Sequence, residues 1–558
     1  GGSSSPFMSL VKAVVGGGLA AAVYFYSPSA LEGDVWSCLV ISADRLKPLA
    51  IPLVGGLSLL SLLLLLVVFL LSSLYPSLIS SNSFDVDAYV GQTPTVMQRA
   101  QVVLLHHLNV GSHKPVKEGP GLPLEDAPSP FVEGLRVTSV EGTRENTRSF
   151  APGSAIVVGT IRMGFGHHRI AYAAASWALA TNRTTYFHDL LNIDSPEATL
   201  IKEMDKLYSK GSRLATELGG PVEKLWGALT KNGDENSLRI FFQMAEHLHP
   251  LMKSIPRDIP IIASHCFVGM LAVSLGFKHV VNLVIDNHAQ WFIVVPGAYN
   301  LVQGPSNYHN LLRMGVPANR LVLAGHWIPK DVVDNIEFDC ELRKERTKAG
   351  QPIRILIPVG GAGAQKTFVT TFVKTLKGHV QAGKVQLFLN AADHDHMRVA
   401  FLEAIAAIGA EYTVVDSMPG VYDFAERLRA GQSPPASITL FTFKDYFPAV
   451  ATTDVLVRVS DVLACKPSEL AFYPIPKLMI RRVGDHEAYS ALRASELGDG
   501  TLELREVPKA MAYIEKMEAG PDLLLTMNQC IISNKKSGFY DGCKNAVALA
   551  TRLAIGKQ

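Results

Sequence analysis

The residues able to do chemistry gather where short β-branched runs end. A run at 155–161 leads into Gly159-Thr-Ile-Arg-Met-Gly164-Phe-Gly166-His167-His168-Arg169, and a helical pattern follows at once. Glycines at a strand-to-helix turn let the backbone approach a ligand closely, and the amides that open a helix attract anions. His167 would then stand at the mouth of a cleft; the plainer reading is a tight turn with a surface histidine. Val284-Ile-Asp286-Asn-His288-Ala-Gln-Trp291 ends another run with a carboxylate, an imidazole and an indole, which suits acid/base chemistry beside a stacking face. The alternative there is a strand-end turn with a core tryptophan. Ile355-Leu-Ile-Pro-Val-Gly360-Gly361-Ala362-Gly363-Ala364-Gln365-Lys366-Thr367 nearly spells a P-loop, but Gln365 stands where the glycine before the lysine is required. A Gly-rich turn facing a diphosphate, or simply a tight turn, is what remains. Asp393-His394-Asp395-His396 has the residue types of a metal site, but neighbouring positions do not all point at one ion, so a solvated loop is expected. His106-His107 and His247 with His249 read the same way, and no metal is expected.

Elements must hold these turns in place. Runs at 155–161, 260–264, 280–286, 300–303 and 320–324 alternate with helical stretches such as 170–180 and 310–314. The series restarts with runs at 353–359, 385–390, 412–415, 438–441, 454–459 and 477–481, separated by helical stretches such as 366–376 and 397–408. Such alternation predicts parallel sheets with crossover helices, and ligands at the carboxyl ends of the strands. The charged stretch 339–351 divides the series, giving an expected first domain over 151–335 and a second over 350–520, with 521–558 as closing helices. Residues 85–150 show no sustained period and read as a linker or extension, with the Pro/Gly-rich stretch 112–130 laid over the surface.

Ahead of these lies an apolar end. Residues 49–74 carry no charge, more than the roughly 20 residues a bilayer helix needs, with a core at 57–74. A weaker stretch at 8–26, broken by Lys12, adds a second candidate, so 1–84 is expected to hold one or two spans that make the protein integral to a membrane. Arg45 and Lys47 before the strong span would favour the cytoplasmic side for that flank. Composition agrees. Among 558 residues 48% are hydrophobic and 18% charged, and the mean hydropathy of +0.19 exceeds that of an ordinary soluble chain. Lys and Arg number 52 against 50 Asp and Glu, which leaves no broad basic surface for nucleic acid. Six cysteines (Cys38, Cys266, Cys340, Cys465, Cys530, Cys543) are scattered without a C-x-x-C pair, so a disulfide framework and a zinc site are both unexpected.

Taken together, the motifs over 155–500 resemble the monogalactosyldiacylglycerol synthase and diacylglycerol glucosyltransferase group of glycosyltransferase family 28. That group's Gly-Gly-Gly-His turn is matched by Gly164-Phe165-Gly166-His167, and its Thr-Asp and His-x-x-Trp by Ile285-Asp286 and His288 to Trp291. Pro305-Ser306, Gly315-Val316-Pro317 and Gly325 are similar to its next segment. Its second Gly-rich loop corresponds to Gly360–Gly363, its Lys-Pro-Gly-Gly-x-Thr-x-x-Glu loop to Lys466-Pro467-Ser468-Glu469, and its Gly-Gln-Glu to Gly484-Asp485-His486.

The resemblance implies a GT-B fold, two Rossmann-like domains facing a cleft, and inverting transfer of a hexose from a UDP-sugar to a lipid such as diacylglycerol. His167 or Asp286 would take the acceptor proton, while Gly164, Gly166, His288 and Trp291 would line the acceptor side. Gly360, Gly361, Ala362, Gly363, Lys466, Ser468, Glu469, Asp485, His486 and Glu487 would hold the donor, with Glu469 on the ribose. No cofactor beyond the donor is implied. Two departures bear on activity: Lys466-Pro467 runs straight into Ser468-Glu469 without the glycine pair, and Asp485-His486 replaces Gln-Glu. They support an alternative, a catalytically inactive glycosyltransferase-like subunit of a membrane complex.

Overall fold

The computed structural model describes residues 61–80, 82–110, 121–143, 147–150, 153–203, 233–360 and 365–556. The stretch 8–26, residues 57–60, Cys38 and the turn residues Gly361, Ala362 and Gly363 lie outside them.

Residues 82–92 and 109–556, as far as described, form one compact unit built on two sheets. The first sheet has nine strands in the order β3-β1-β2-β5-β4-β6-β7-β8-β9. These are β1 (Leu124–Pro128), β2 (Leu135–Val140), β3 (Arg148–Ser149), β4 (Ala155–Thr160), β5 (Thr184–Asp189), β6 (Ile261–Ala263), β7 (Val280–Leu283), β8 (Tyr299–Val302) and β9 (Leu321–Leu323). Pairing is parallel from β2 through β9 and antiparallel where β1 meets β2 and β3. The second sheet is wholly parallel, in the order β12-β13-β11-β10-β14-β15. Its strands are β10 (Ile353–Pro358), β11 (Val385–Asn390), β12 (Tyr412–Val415), β13 (Ile438–Phe441), β14 (Val462–Cys465) and β15 (Lys477–Met479). Every residue of β4 and of β10 is buried, as expected of strands covered by helices on both faces. Two doubly wound sheets with a cleft between them constitute the GT-B architecture.

Two expectations are corrected. The span 85–150 is not merely linker: β1 and β2 extend the first sheet, and buried Asp126 pairs with Arg136, two places from its register partner Thr138. Polar residues in LEDAP masked the strand, because they serve this pairing and not an apolar alternation. The run at 454–459 is not a strand; the helix Tyr446–Leu456 covers its first half and a turn the rest, and the strand follows as β14. That helix buries residues around much of its girth, so its β-branched residues show no helical stripe.

The two domains share their cores. Phe165, from the turn after β4, packs in a cluster with Leu356, Phe388 and Phe441 of the second sheet. The helix Gly542–Ala554 returns to the first domain and joins Cys543, Ala546, Val547, Ala550 and Leu553 to Ile156, Val158, Ile262 and Val281. The return is tight: a Cβ at Gly542 would lie 2.3 Å from the Gly325 carbonyl oxygen. Gly325 itself has φ of 102°, a conformation that favours glycine.

Residues 61–80 and 93–108 form a separate unit. The helix Ser61–Ile79 has 19 residues, long and apolar enough to cross a membrane. Leu62, Phe69 and Leu65 on it are 65%, 64% and 59% exposed, the inverse of a soluble core helix.

Candidate active site

In an open parallel sheet the crevice opens where successive crossovers leave in opposite directions. Here those points are β4 beside β6 and β10 beside β14. Most of the residues selected from sequence lie at or near the strand ends flanking these points.

On the first domain, Gly164 takes φ of 85° and starts the helix Phe165–Leu179. Tyr446 of the second domain donates its hydroxyl hydrogen to the Gly164 carbonyl at 2.7 Å, and the Arg162 guanidinium lies 3.6 Å from the Tyr446 ring centre. His167 Nδ1 is 2.6 Å from the Ser264 carbonyl oxygen at the end of β6. A carbonyl only accepts, so Nδ1 carries the hydrogen and, in the neutral ring, Nε2 keeps its lone pair. Burial lowers the His167 pKa, against the opposing pull of that carbonyl, Asp286 and Glu469. The ring lies 4.2 Å from that of His265, whose Nδ1 accepts the Phe267 amide. Asp286 is partly exposed and lies near enough to favour a charged His167. His288 stacks on Tyr489 of the second domain at 4.3 Å. Trp291 does not line the cleft: it is 3% exposed and packs edge-on against Tyr89, so its expected acceptor contact is corrected to a core role.

On the second domain, Lys466 packs over Gly360 and is paired with Glu487. Burial alone would raise the Glu487 carboxyl, but the Lys466 ammonium, His486 and the Val483 amide hold it below the ordinary carboxylate range. Ser468 and Glu469 are both partly exposed beside it. His486 crowds Gly484, and His394 lies 3.1 Å from the Gly360 carbonyl. The Asp393 to His396 run is thus drawn to the cleft end of β11; among the described residues no group of three or more His, Cys, Asp or Glu has metal-holding geometry.

The strongest cross-cleft contact involves a residue sequence reasoning left without a role. Arg169, 2% exposed, lies 3.0 Å from Asp454 and 3.4 Å from Glu469, and donates to the Val450 carbonyl. Burial raises the Asp454 pKa against the pull of Arg169. Glu469, expected on a donor ribose, is therefore held by the first domain, and its Oε2 would sit 3.1 Å from a Cβ at Gly166. The signal was present: an arginine inside the apolar, alanine-rich helix Phe165–Leu179 must find a buried partner.

Two family models match the chain. A domain of unknown function (DUF6937) covers residues 125–312, and a second (DUF6938) covers 316–551. The first match begins within β1, so the matched stretch includes the early strands. A comparison with curated proteins gives no match. Among solved structures, UDP-GlcNAc 2-epimerase from Neisseria meningitidis is 12% identical, covering 71% of this chain and 98% of its own, with a TM-score of 0.37. A trehalose 6-phosphate synthase from Burkholderia multivorans is 13% identical, covering 72% and 99%, with a TM-score of 0.39. A UDP-N-acetylglucosamine 2-epimerase from Listeria monocytogenes is 11% identical over 71% and 94%, with a TM-score of 0.40.

Proposed function

We propose that the chain is a membrane-anchored inverting glycosyltransferase that moves a hexose from a UDP-sugar to a lipid hydroxyl such as that of diacylglycerol. The observation that carries the reading is the His167 hydrogen bond to Ser264, which leaves the other ring nitrogen basic at the strand ends. In the step envisaged, the acceptor hydroxyl gives its proton to His167 Nε2 and its oxygen bonds to the anomeric carbon. The bond from that carbon to the UDP oxygen breaks, and the diphosphate leaves with the electron pair. Lys466 and the backbone at Gly360 would meet the leaving charge, and Asp286 would stabilise the imidazolium. The helix Ser61–Ile79 would hold the chain at the lipid that supplies the acceptor.

A second reading, an inactive subunit of a membrane complex, is favoured by one observation: Lys466 and Glu469, both assigned to the donor, are already paired with Glu487 and Arg169. One assay separates the two. Protein in diacylglycerol-containing vesicles is given radiolabelled UDP-glucose or UDP-galactose; labelled lipid in the organic phase is the expected result. No product, together with no calorimetric heat on titrating UDP, would leave only the inactive subunit.

A further inference from the structure

A second polar site lies where the turn after β7 and the start of the helix Pro305–Met314 meet the helix Ala488–Glu496. Two amide side chains reach the turn 285–287, and a third, that of Asn287, leaves it. Asn287 donates to the Tyr489 carbonyl at 3.2 Å, Gln303 to the Ile285 carbonyl at 2.7 Å and Asn307 to the Asp286 carbonyl at 2.8 Å. Because each NH2 is held by a backbone carbonyl, the orientation of each amide is fixed, and its oxygen faces away from that bond. All three are nearly fully buried, at 5%, 2% and 1% exposure, yet Asn287 Oδ1, Gln303 Oε1 and Asn307 Oδ1 have no hydrogen-bond partner among the described residues.

Arg493 brings the complementary atoms. Its guanidinium lies 5.2 Å from the Phe539 ring centre, and its Nε and Nη2 likewise find no acceptor among the described residues. Gly304 marks where two of these groups meet: a Cβ there would lie 3.1 Å from Asn287 Oδ1 and 3.3 Å from Arg493 Nε. Gly304 also stands at the N-cap of the helix Pro305–Met314, which has no side-chain capping bond.

We propose that Asn287, Gln303, Asn307 and Arg493 form a subsite for the hydroxyl groups of a hexose. The donor and acceptor count selects the ligand. A phosphate would satisfy Arg493 but, with at most two hydrogens near neutral pH, leaves at least one of the three amide oxygens without a donor. A hydroxyl offers one hydrogen and two lone pairs, so neighbouring hydroxyls of a pyranose meet amide oxygens and guanidinium together. His288 and Tyr489, stacked beside the site, supply an aromatic edge. The inference rests on the glycosyl-transfer reading for its meaning and deepens it, since diacylglycerol has one hydroxyl. The hexose belongs either to the donor or to an acceptor lipid that already carries a sugar.

The test is saturation-transfer NMR and titration on the full chain in nanodiscs, with methyl glucoside, methyl galactoside, UDP, UDP-glucose and a monoglycosyl diacylglycerol as probes. At least one methyl hexoside is expected to bind, and Arg493→Met and Asn287→Leu should each weaken it at least tenfold while inorganic phosphate does not compete. Tighter binding of UDP-glucose than of UDP, lost in the variants, identifies the donor's sugar; a variant-sensitive response to the monoglycosyl lipid alone identifies the acceptor. Arg493→Met removes Nε and Nη2 hydrogens that have no acceptor among the described residues and should change the melting temperature little; a marked fall makes Arg493 a structural residue and overturns the proposal. Absence of hexoside binding, equal binding by the variants, or competition by phosphate overturns it too. Because binding is read without turnover, an inactive protein that binds hexosides, or an active one that does not, tells the failure of one reading from that of the other.

Discussion

At the scale of single residues, a histidine works as a base only if one nitrogen is committed and the other is not. His167 meets that condition through Ser264. His167→Ala is expected to lower turnover by roughly 10² to 10⁴ in the vesicle assay while circular dichroism stays unchanged. Because burial lowers the His167 pKa, the acid limb of the rate profile should fall below the ordinary imidazole range near pH 6.5. The same physics has a cost in stability elsewhere. His188 is fully buried between the Thr138 hydroxyl, 2.7 Å from Nδ1, and the Leu251 carbonyl, 3.1 Å from Nε2, and burial lowers its pKa from 6.5 to about 4. An unfolded chain takes up this proton near pH 6.5 and the folded one only near 4, so the unfolded state gains protons first as pH drops. Stability is complete above pH 6.5 and declines below it, by about 2 kcal/mol at pH 5 from this residue. Urea denaturation at pH 7 and pH 5 measures it: His188→Gln should flatten the difference, and an unchanged pH dependence contradicts the account.

Among the elements, the helix Gly542–Ala554 has a placement that depends on a single atom's absence. Gly542→Ala would drive a Cβ into the backbone at Gly325 and His326, at 2.3 and 2.5 Å. A loss of about 3 kcal/mol is expected in chemical denaturation, near the top of the usual range for one substitution. Little change would mean that the helix start relaxes without strain. This contact was beyond sequence reading, because a glycine reports that space is short without naming what fills it. What was legible were runs such as β10 and β11, which are largely buried and apolar except for Arg354 in the one and Gln386 and Asn390 in the other. β1 escaped because its buried residues include Glu125, which accepts hydrogen bonds from Ser139, Gly142 and Thr147, and Asp126, which pairs with Arg136 and Arg148; that knowledge comes only with the sheet. The site was half visible. Glycines and histidines at turns could be seen, whereas Arg169 with Asp454 and Glu469, separated by some 300 positions, form a site only when two domains close on each other.

For the whole molecule, that closure is the central question. Arg169→Met would leave two carboxylates without their cation in a largely buried place, a loss of about 3 to 5 kcal/mol. Thermal melts test it, and the double variant with Glu469→Gln should recover part of the loss. The donor side is governed by competition. If Lys466 must leave Glu487 to reach a diphosphate, Glu487→Gln should tighten UDP about tenfold, since one charge-assisted bond of roughly 1.5 to 3 kcal/mol no longer has to be broken. Weaker or unaltered UDP affinity in calorimetry would show that Lys466 acts where it stands. The returning helix has a consequence in time as well as in space. A ribosome delivers residues 155–323 long before residues 542–554, so the first sheet leaves the exit tunnel lacking the side chains that cover Ile156, Val158 and Val281. Through the synthesis of some two hundred further residues that apolar strip must be shielded, by a chaperone or by transient packing. The earliest domain to be made is the last to be completed.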